Sequence, residues 1–531
     1  MRKLLVASFT VVFVSAVLFT VFGDDVKALF GMSADCLAGD TTVAKRTTRS
    51  NSNSGSLERK TLQNFAQDNS GYADPVPVPA PNPVTLTAAD SLSTFAIDVD
   101  TASWTWSRRA VLDQNTLPAA SGIRLEEWVN AFDYELAAPT GKEPIAVSVQ
   151  GATSPFDETK TLIKVALKGR EVKERQPAHL VFLVDVSGSM GTPDRLPLAK
   201  YALRVLAQQL NEKDTVALVT YAGSVETVLP TTNGARYDAI TSAIDRLGAG
   251  GGTAMGSGME MAYQLAVKQV APNTSTRVIV LTDGDANIGA TSADQMLSAV
   301  HAYVDEGVTL TTVGFGMGNY RGDQLERLAD KGNGQALYFS SEDDVRKSFG
   351  TKIAGTLQVI AKDVKVQVAF DPAVVKSYRL LGYENRAVAD QDFRNDRVDA
   401  GEMGVGHAVT ALYEVTLAAK NAPLGKVSVR GQFPGSGEAF EFDTAMSRAD
   451  VSHLLSEQNA DFRFATAVAL GADTLRGNTV GSWSLTAIAQ LASDSANGKP
   501  ERQEFVAFLN RAQQLRERPV AAWQTDQNRA Y

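Results

Sequence analysis

The segment His179-Leu-Val-Phe-Leu-Val-Asp185-Val-Ser187-Gly-Ser189-Met190 places an aspartate and two serine hydroxyls at the end of an unbroken apolar run. A buried parallel strand has this texture, and polar residues at its carboxyl end stand where such strands open onto ligands. Asp185, Ser187 and Ser189 can therefore direct hard oxygen atoms at one point. Two later segments enlarge the set. Gly250-Gly-Gly-Thr253 is a loop carrying a hydroxyl, and Arg277-Val-Ile-Val-Leu-Thr-Asp283-Gly284 is a second apolar run ending in aspartate. Oxygen-only donors with few charges suit Mg²⁺ or Mn²⁺, and Mg²⁺ takes octahedral oxygens while keeping some waters.

Asp-x-Ser-x-Ser, a later threonine and a strand-ending Asp-Gly, in this order, resemble the metal-ion-dependent adhesion site of von Willebrand factor type A domains. The resemblance implies that Ser187 and Ser189 are direct ligands and Thr253 a direct or water-bridged one. Asp185 and Asp283 would then act mainly from behind the ligands. It also implies an open coordination position that an acidic side chain of a protein partner fills. Neutral hydroxyls leave the cation under-neutralised, so an anion is favoured there over water. Asp285 reads more simply as a turn residue.

Enzymatic readings fare less well. Asp98-Val-Asp100 and Asp283-Gly-Asp285-Ala-Asn287 each imitate part of a haloacid-dehalogenase-type phosphatase. They sit on different candidate domains, however, and after Asp185 the second carboxylate is replaced by Ser187, which removes the general acid. The glycine-rich stretch from Gly248 to Gly258 has no lysine for phosphate, and Ser187 is not in a Gly-x-Ser-x-Gly elbow. His179, His301, His407 and His453 are scattered without zinc spacing. The chain therefore reads as a non-enzymatic binding protein, with a structural scaffold as the alternative and a Mg²⁺-dependent hydrolase as the third reading. Asp98 and Asp100 lie on one face of a strand before a helix. Calcium binding or a helix cap would each explain them, and capping by Asp100 or Thr101 is the more economical account. Trp104, Trp106 and Trp128 read as core aromatics.

The elements that must position these groups follow from periodicity. Residues 177–352 alternate strands with amphipathic helices, as in Leu198, Ala202, Leu206 and Leu210, which predicts a doubly wound parallel sheet of Rossmann type covered on both faces. Residues 143–176 and 353–447 instead carry strands alone, such as Asp363-Val-Lys-Val-Gln-Val-Ala-Phe370 with period two. They predict two parts of one antiparallel β-sandwich into which the α/β domain is inserted. Residues 93–142 read as a small α/β segment of its own, and 448–531 as a carboxy-terminal helical region.

Met1-Arg2-Lys3 precedes an uncharged apolar run from Leu4 to Gly23. Residues 1–28 thus predict a transmembrane anchor or a signal peptide, with the remainder on the outer side of the inner membrane. Residues 29–92, polar and then proline-rich (Pro75-Val-Pro-Val-Pro-Ala-Pro), read as a tether. Cys36 is the single cysteine, so no intramolecular disulfide forms. A net charge of −9 argues against nucleic acid as a partner.

Ser93-Thr-Phe-Ala-Ile-Asp-Val-Asp-Thr-Ala-Ser103, Leu381-Gly-Tyr-Glu-Asn-Arg386, Gly406-His-Ala-Val-Thr-Ala-Leu-Tyr-Glu414 and Asp461-Phe-Arg-Phe464 are similar to landmarks of a bacterial cell-envelope family. Its members join a central type A domain to an amino-terminal companion and a carboxy-terminal domain of unknown function. The similarity spans roughly Ser93 to Ala512 and implies periplasmic or other extracytoplasmic placement.

Overall fold

The computed structural model describes residues 80–155, 157–252, 255–284, 300–316, 322–351, 353–418, 422–477 and 484–517. The expected anchor and most of the tether lie outside the described residues, as do Thr253 and Asp285. Among the described residues no helix is long and apolar enough to cross a membrane.

The amino-terminal strands are β1 (Thr85–Leu86) and β2 (Leu92–Ala96), followed by helices α1 (Ala102–Leu112) and α2 (Leu125–Asn130). Strands β3 (Ile145–Thr153) and β4 (Thr161–Gly169) lead into the central domain. That domain runs β5 (Ala178–Asp185), α3 (Leu196–Ala207), β6 (Thr215–Tyr221), β7 (Val225–Asn233), α4 (Tyr237–Asp245), α5 (Met255–Val267), β8 (Ser275–Thr282), β9 (Val308–Phe315), α6 (Gly322–Lys331) and β10 (Ala336–Phe339). Its sheet has the order β10-β9-β8-β5-β6-β7, parallel except for the edge strand β7. Unbroken apolar runs form these strands because both faces are covered. Leu180, Phe182 and Val184 pack toward α3 and α4, whereas Val181 and Leu183 pack toward α5.

Short helices α7 (Glu342–Val345) and α8 (Ile353–Leu357) return the chain to β11 (Val359–Phe370), β12 (Val375–Leu381), β13 (Gly401–Gly404), β14 (Ala408–Leu417), β15 (Gly425–Gln432), β16 (Ala439–Met446) and β17 (Val451–Ser452). One sheet has the order β1-β12-β14-β4-β3-β17, and the other β13-β11-β15-β16 with β2 also on β11. β3 and β4, which precede the α/β domain, therefore share a sheet with β12 and β14, which follow it. The central domain is an insertion in a sandwich. Ile163, Val165, Val366, Val368, Val409 and Tyr413 fill the space between its sheets.

Residues 93–142 do not form a segment of their own. β2 pairs with β11 inside the sandwich, from Ala96 opposite Lys365 to Leu92 opposite Ala369. α1 and α2 pack with the carboxy-terminal helices α9 (Ala460–Leu475), α10 (Leu485–Asp494) and α11 (Pro500–Arg516). Trp104 touches Trp128, Phe132, Phe505 and Phe508, with ring centroids 5.0–5.4 Å apart. Together these aromatics cover the outer face of β4 and β14 at Leu162 and Leu412. The boundary near 92 likewise falls inside ordered structure, since β1 pairs with β12.

Candidate metal centre

β5 is a central strand, flanked by β6 and β8, and its last residue is Asp185. Although it stands at the strand's open carboxyl end, this aspartate is fully buried. The neighbouring strand ends supply side chains that roof it. Asp185 Oδ1 accepts the Ser187 amide at 2.8 Å, closing a local Asx turn. Its Oδ2 accepts the hydroxyls of Tyr221 at 3.2 Å and Thr282 at 3.0 Å, the last residues of β6 and β8. Burial, with Asp283 nearby, raises the Asp185 carboxyl above its ordinary value. Both oxygens of Asp185 are thus engaged, Oδ1 by the turn and Oδ2 by the neighbouring strand ends, the arrangement expected of a carboxylate behind a ligand turn.

The turn so held presents Ser187 and Ser189 on the same side, with their Oγ atoms 3.0 Å apart. The glycine-rich loop docks against this turn. Gly188 N donates to Gly251 O at 3.2 Å and Gly250 N to Val186 O at 2.7 Å. Gly251 has φ +86°, and a Cβ there would press on the Gly223 amide, so glycine is required for the approach. Thr253 follows directly in sequence and lies outside the described residues. Asp283, one residue beyond β8, is buried and paired with Arg195, whose Nη1 is 2.6 Å from Asp283 Oδ2 and 2.7 Å from Ser189 O. Arg195 is joined to the companion helix through its neighbour Asp194, which pairs with Arg109 of α1 at 2.7 Å.

Four of the five expected site residues are therefore described, and they converge on one end of the sheet. The donor chemistry fits a hard cation. Adjacent oxygens of a Mg²⁺ octahedron, each about 2.0–2.1 Å from the ion, lie about 2.9 Å apart. The two seryl oxygens already have that spacing. Among the described residues no group of three or more His, Cys, Asp or Glu side chains is arranged to hold a metal.

Arg195, Tyr221 and Thr282 were not identified from the sequence. Thr282 ends the same apolar run as Asp283, but its partner Asp185 lies on another strand, and nothing local marks Arg195. Asp98 and Asp100 also differ from expectation. Thr101 makes no side-chain cap on α1, and the Ser103 amide is accepted by Glu127 Oε2 at 2.8 Å instead. Asp98 accepts the Asp100 amide, and Asp100 accepts the Ala336 amide at 2.9 Å. Both carboxylates also face Arg386, at 3.3 and 3.4 Å.

Residues 179–351 match the von Willebrand factor type A domain family. Residues 78–164 match a family described as von Willebrand factor, and 355–426 with 417–515 match "Uncharacterized protein YfbK, C-terminal". The protein "Uncharacterized protein YfbK" of Escherichia coli (strain K12) is 35% identical over 453 residues, covering 79% of this chain and 78% of that one. The chain belongs to the YfbK family. "Uncharacterized protein sll0103" of Synechocystis sp. is 30% identical over 199 residues, 37% of this chain and 46% of that one. A solved von Willebrand factor type A protein from Catenulispora acidiphila covers 70% of this chain and 86% of its own, at 18% identity and a TM-score of 0.41.

Proposed function

We propose that this YfbK-family protein is a non-enzymatic, divalent-metal-dependent protein-binding module of the bacterial cell envelope. Asp185, Ser187, Ser189, Thr253 and Asp283 form its metal centre. The observation that carries the reading is the seryl pair, 3.0 Å apart at the carboxyl end of β5 and held by a fully committed Asp185. Mg²⁺, or Mn²⁺ in its place, supplies an electrophilic coordination position at which a carboxylate from a protein partner binds. This chain's own residues fix the turn, orient the hydroxyls and keep Asp283 beside them. The apolar run from Leu4 to Gly23 supports placement at the inner membrane with the folded body on its outer side.

A structural role is the second reading, and the Arg195–Asp283 pair favours it, since a guanidinium can balance that carboxylate without metal. Capture of partners from envelope extracts separates the two. The binding reading expects partners that are retained in Mg²⁺, released by chelator and missing with Ser189→Ala. Identical captures in all three conditions would leave the scaffold.

A further inference from the structure

A ring of contacts closes beside the metal centre and passes through the companion helix. Arg195 pairs with Asp283 and donates to Ser189 O, and its side chain lies across Gly316, the residue after β9. Gly316 has φ +77°, and a Cβ there would run into the arginine, so the glycine is a fitted floor for it. Gly316 O accepts the hydroxyl of Tyr338 on β10. Arg109, in the last turn of α1, donates from Nη1 to that same hydroxyl at 3.3 Å. Its Nη2 pairs with Asp194 Oδ2 at 2.7 Å, and Asp194 immediately precedes Arg195.

Arg109 therefore grips both the chain in front of Arg195 and the floor beneath it. Its neighbour Arg108 docks α1 through separate contacts. It reaches Ser340 Oγ at 2.7 Å and Asp344 Oδ2 at 3.1 Å on the inserted domain, and Glu504 of α11 at 3.2 Å. Seating the helix and steering Arg195 thus fall to adjacent residues. Steering matters because an arginine side chain has many rotamers, and its pairing with a carboxylate is firm only where its path is fixed. A metal ion at the seryl turn draws on the same Asp283 carboxylate that the guanidinium holds.

We propose that Arg109 is a positioning residue through which the companion helix sets the metal affinity of the centre. By way of Asp194 and Tyr338 it holds Arg195 on Asp283, where the guanidinium opposes metal entry. The inference rests on the metal-centre reading and adds a link between metal binding and the seat of α1. A change that draws α1 away from Asp194 favours the metal-bound state, and metal binding loosens the grip of Arg109 by the same factor.

Mn²⁺ titration of the purified full-length protein, followed by electron paramagnetic resonance, tests this in wild type, Asp194→Asn and Arg109→Lys. The Asp194 side chain is 33% exposed, so the fold should tolerate asparagine. Charge counting alone predicts weaker cation binding when an acid is removed, and no change when arginine becomes lysine. The proposal predicts tighter binding in both variants, by about threefold or more. Asparagine cannot keep the ion pair, and a lysine ammonium lacks the planar fork that spans Asp194 and Tyr338. In an Arg195→Ala background the Asp194→Asn change should no longer tighten binding, since both act through the same guanidinium. Unchanged or weaker binding in either variant overturns the proposal while the metal centre stands, as does a tightening that persists without Arg195. Absence of bound Mn²⁺ from the wild type overturns the metal centre and the proposal with it.

Discussion

Replacing Arg386 by alanine is expected to loosen the joint between the inserted domain and the sandwich. Its guanidinium is the central cation of a buried acidic set. Asp98 and Asp100 come from the strand end after β2, and Asp330 at 2.7 Å and Glu326 at 3.9 Å from α6 of the inserted domain. The side chains of Asp98 and Asp100 are 1% and 4% exposed, so water cannot replace the lost partner. Arg124 lies 3.9 Å from Glu326. Removing one partner of a buried ion pair costs roughly 3–5 kcal/mol, a large part of the roughly 5–15 kcal/mol that holds a typical domain folded. The loss should depend on pH. Burial, together with Asp98, already raises the Asp100 carboxyl even with Arg386 in place, and without the arginine Asp100 takes up a proton more readily. Urea unfolding of wild type and Arg386→Ala at pH 5 and pH 8 measures this. The expected deficit is near the full range at pH 8 and clearly smaller at pH 5. A deficit below about 0.5 kcal/mol at pH 8, the size of an ordinary surface substitution, would refute the reasoning.

Asp185→Ala should cost about 2–4 kcal/mol in thermal or urea unfolding, because it strips partners from a buried amide and two buried hydroxyls, and Asp185→Asn should cost less than half as much. Arg195→Ala should strengthen Mn²⁺ binding about tenfold or more in calorimetry. It removes a cation that competes at contact distance for Asp283, an effect of a few kcal/mol at intermediate dielectric, and unchanged or weaker binding would speak against that competition. Glu402 has a folded value of about 8, above the ordinary 4.5. Its contribution to stability is therefore fully present below pH 4.5 and is lost as pH rises through 8, at about 1.4 kcal/mol per unit of separation. Melts without ligand from pH 5.5 to 8.5 should show this fall in wild type and a flatter profile in Glu402→Gln, and parallel profiles would count against it.

The seryl turn was legible in the sequence because its geometry is local. An apolar run ending in Asp-x-Ser-x-Ser determines both the strand and the side to which the hydroxyls point. The insertion was legible because hydrophobic periodicity changes from helix–strand alternation to period two and back. Burial of Asp185 was not, since it depends on Tyr221 and Thr282 at the ends of two neighbouring strands, 36 and 97 residues away. The same holds for Arg195, which reaches Asp283 across 88 residues. The union of α1 and α2 with α9–α11 rests on contacts such as Trp104 with Phe505. No window of sequence contains both partners. The capping expected of Asp100 or Thr101 fails for the same reason, and Asp98 and Asp100 serve an ion-pair cluster instead. Their partner Arg386 lies nearly three hundred residues on, and the actual cap on the Ser103 amide is Glu127.

Metal uptake by the seryl turn is the central claim, and Mn²⁺ titration followed by electron paramagnetic resonance tests it most directly. The comparison is between wild type and a Ser187→Ala/Ser189→Ala variant. The hydroxyls lost there bond to one another, so the fold should tolerate their removal. The account predicts one bound Mn²⁺ per wild-type chain, displaced by excess Mg²⁺, and none at the same concentration in the variant. No bound Mn²⁺ in the wild type, or equal binding in both proteins, would contradict it.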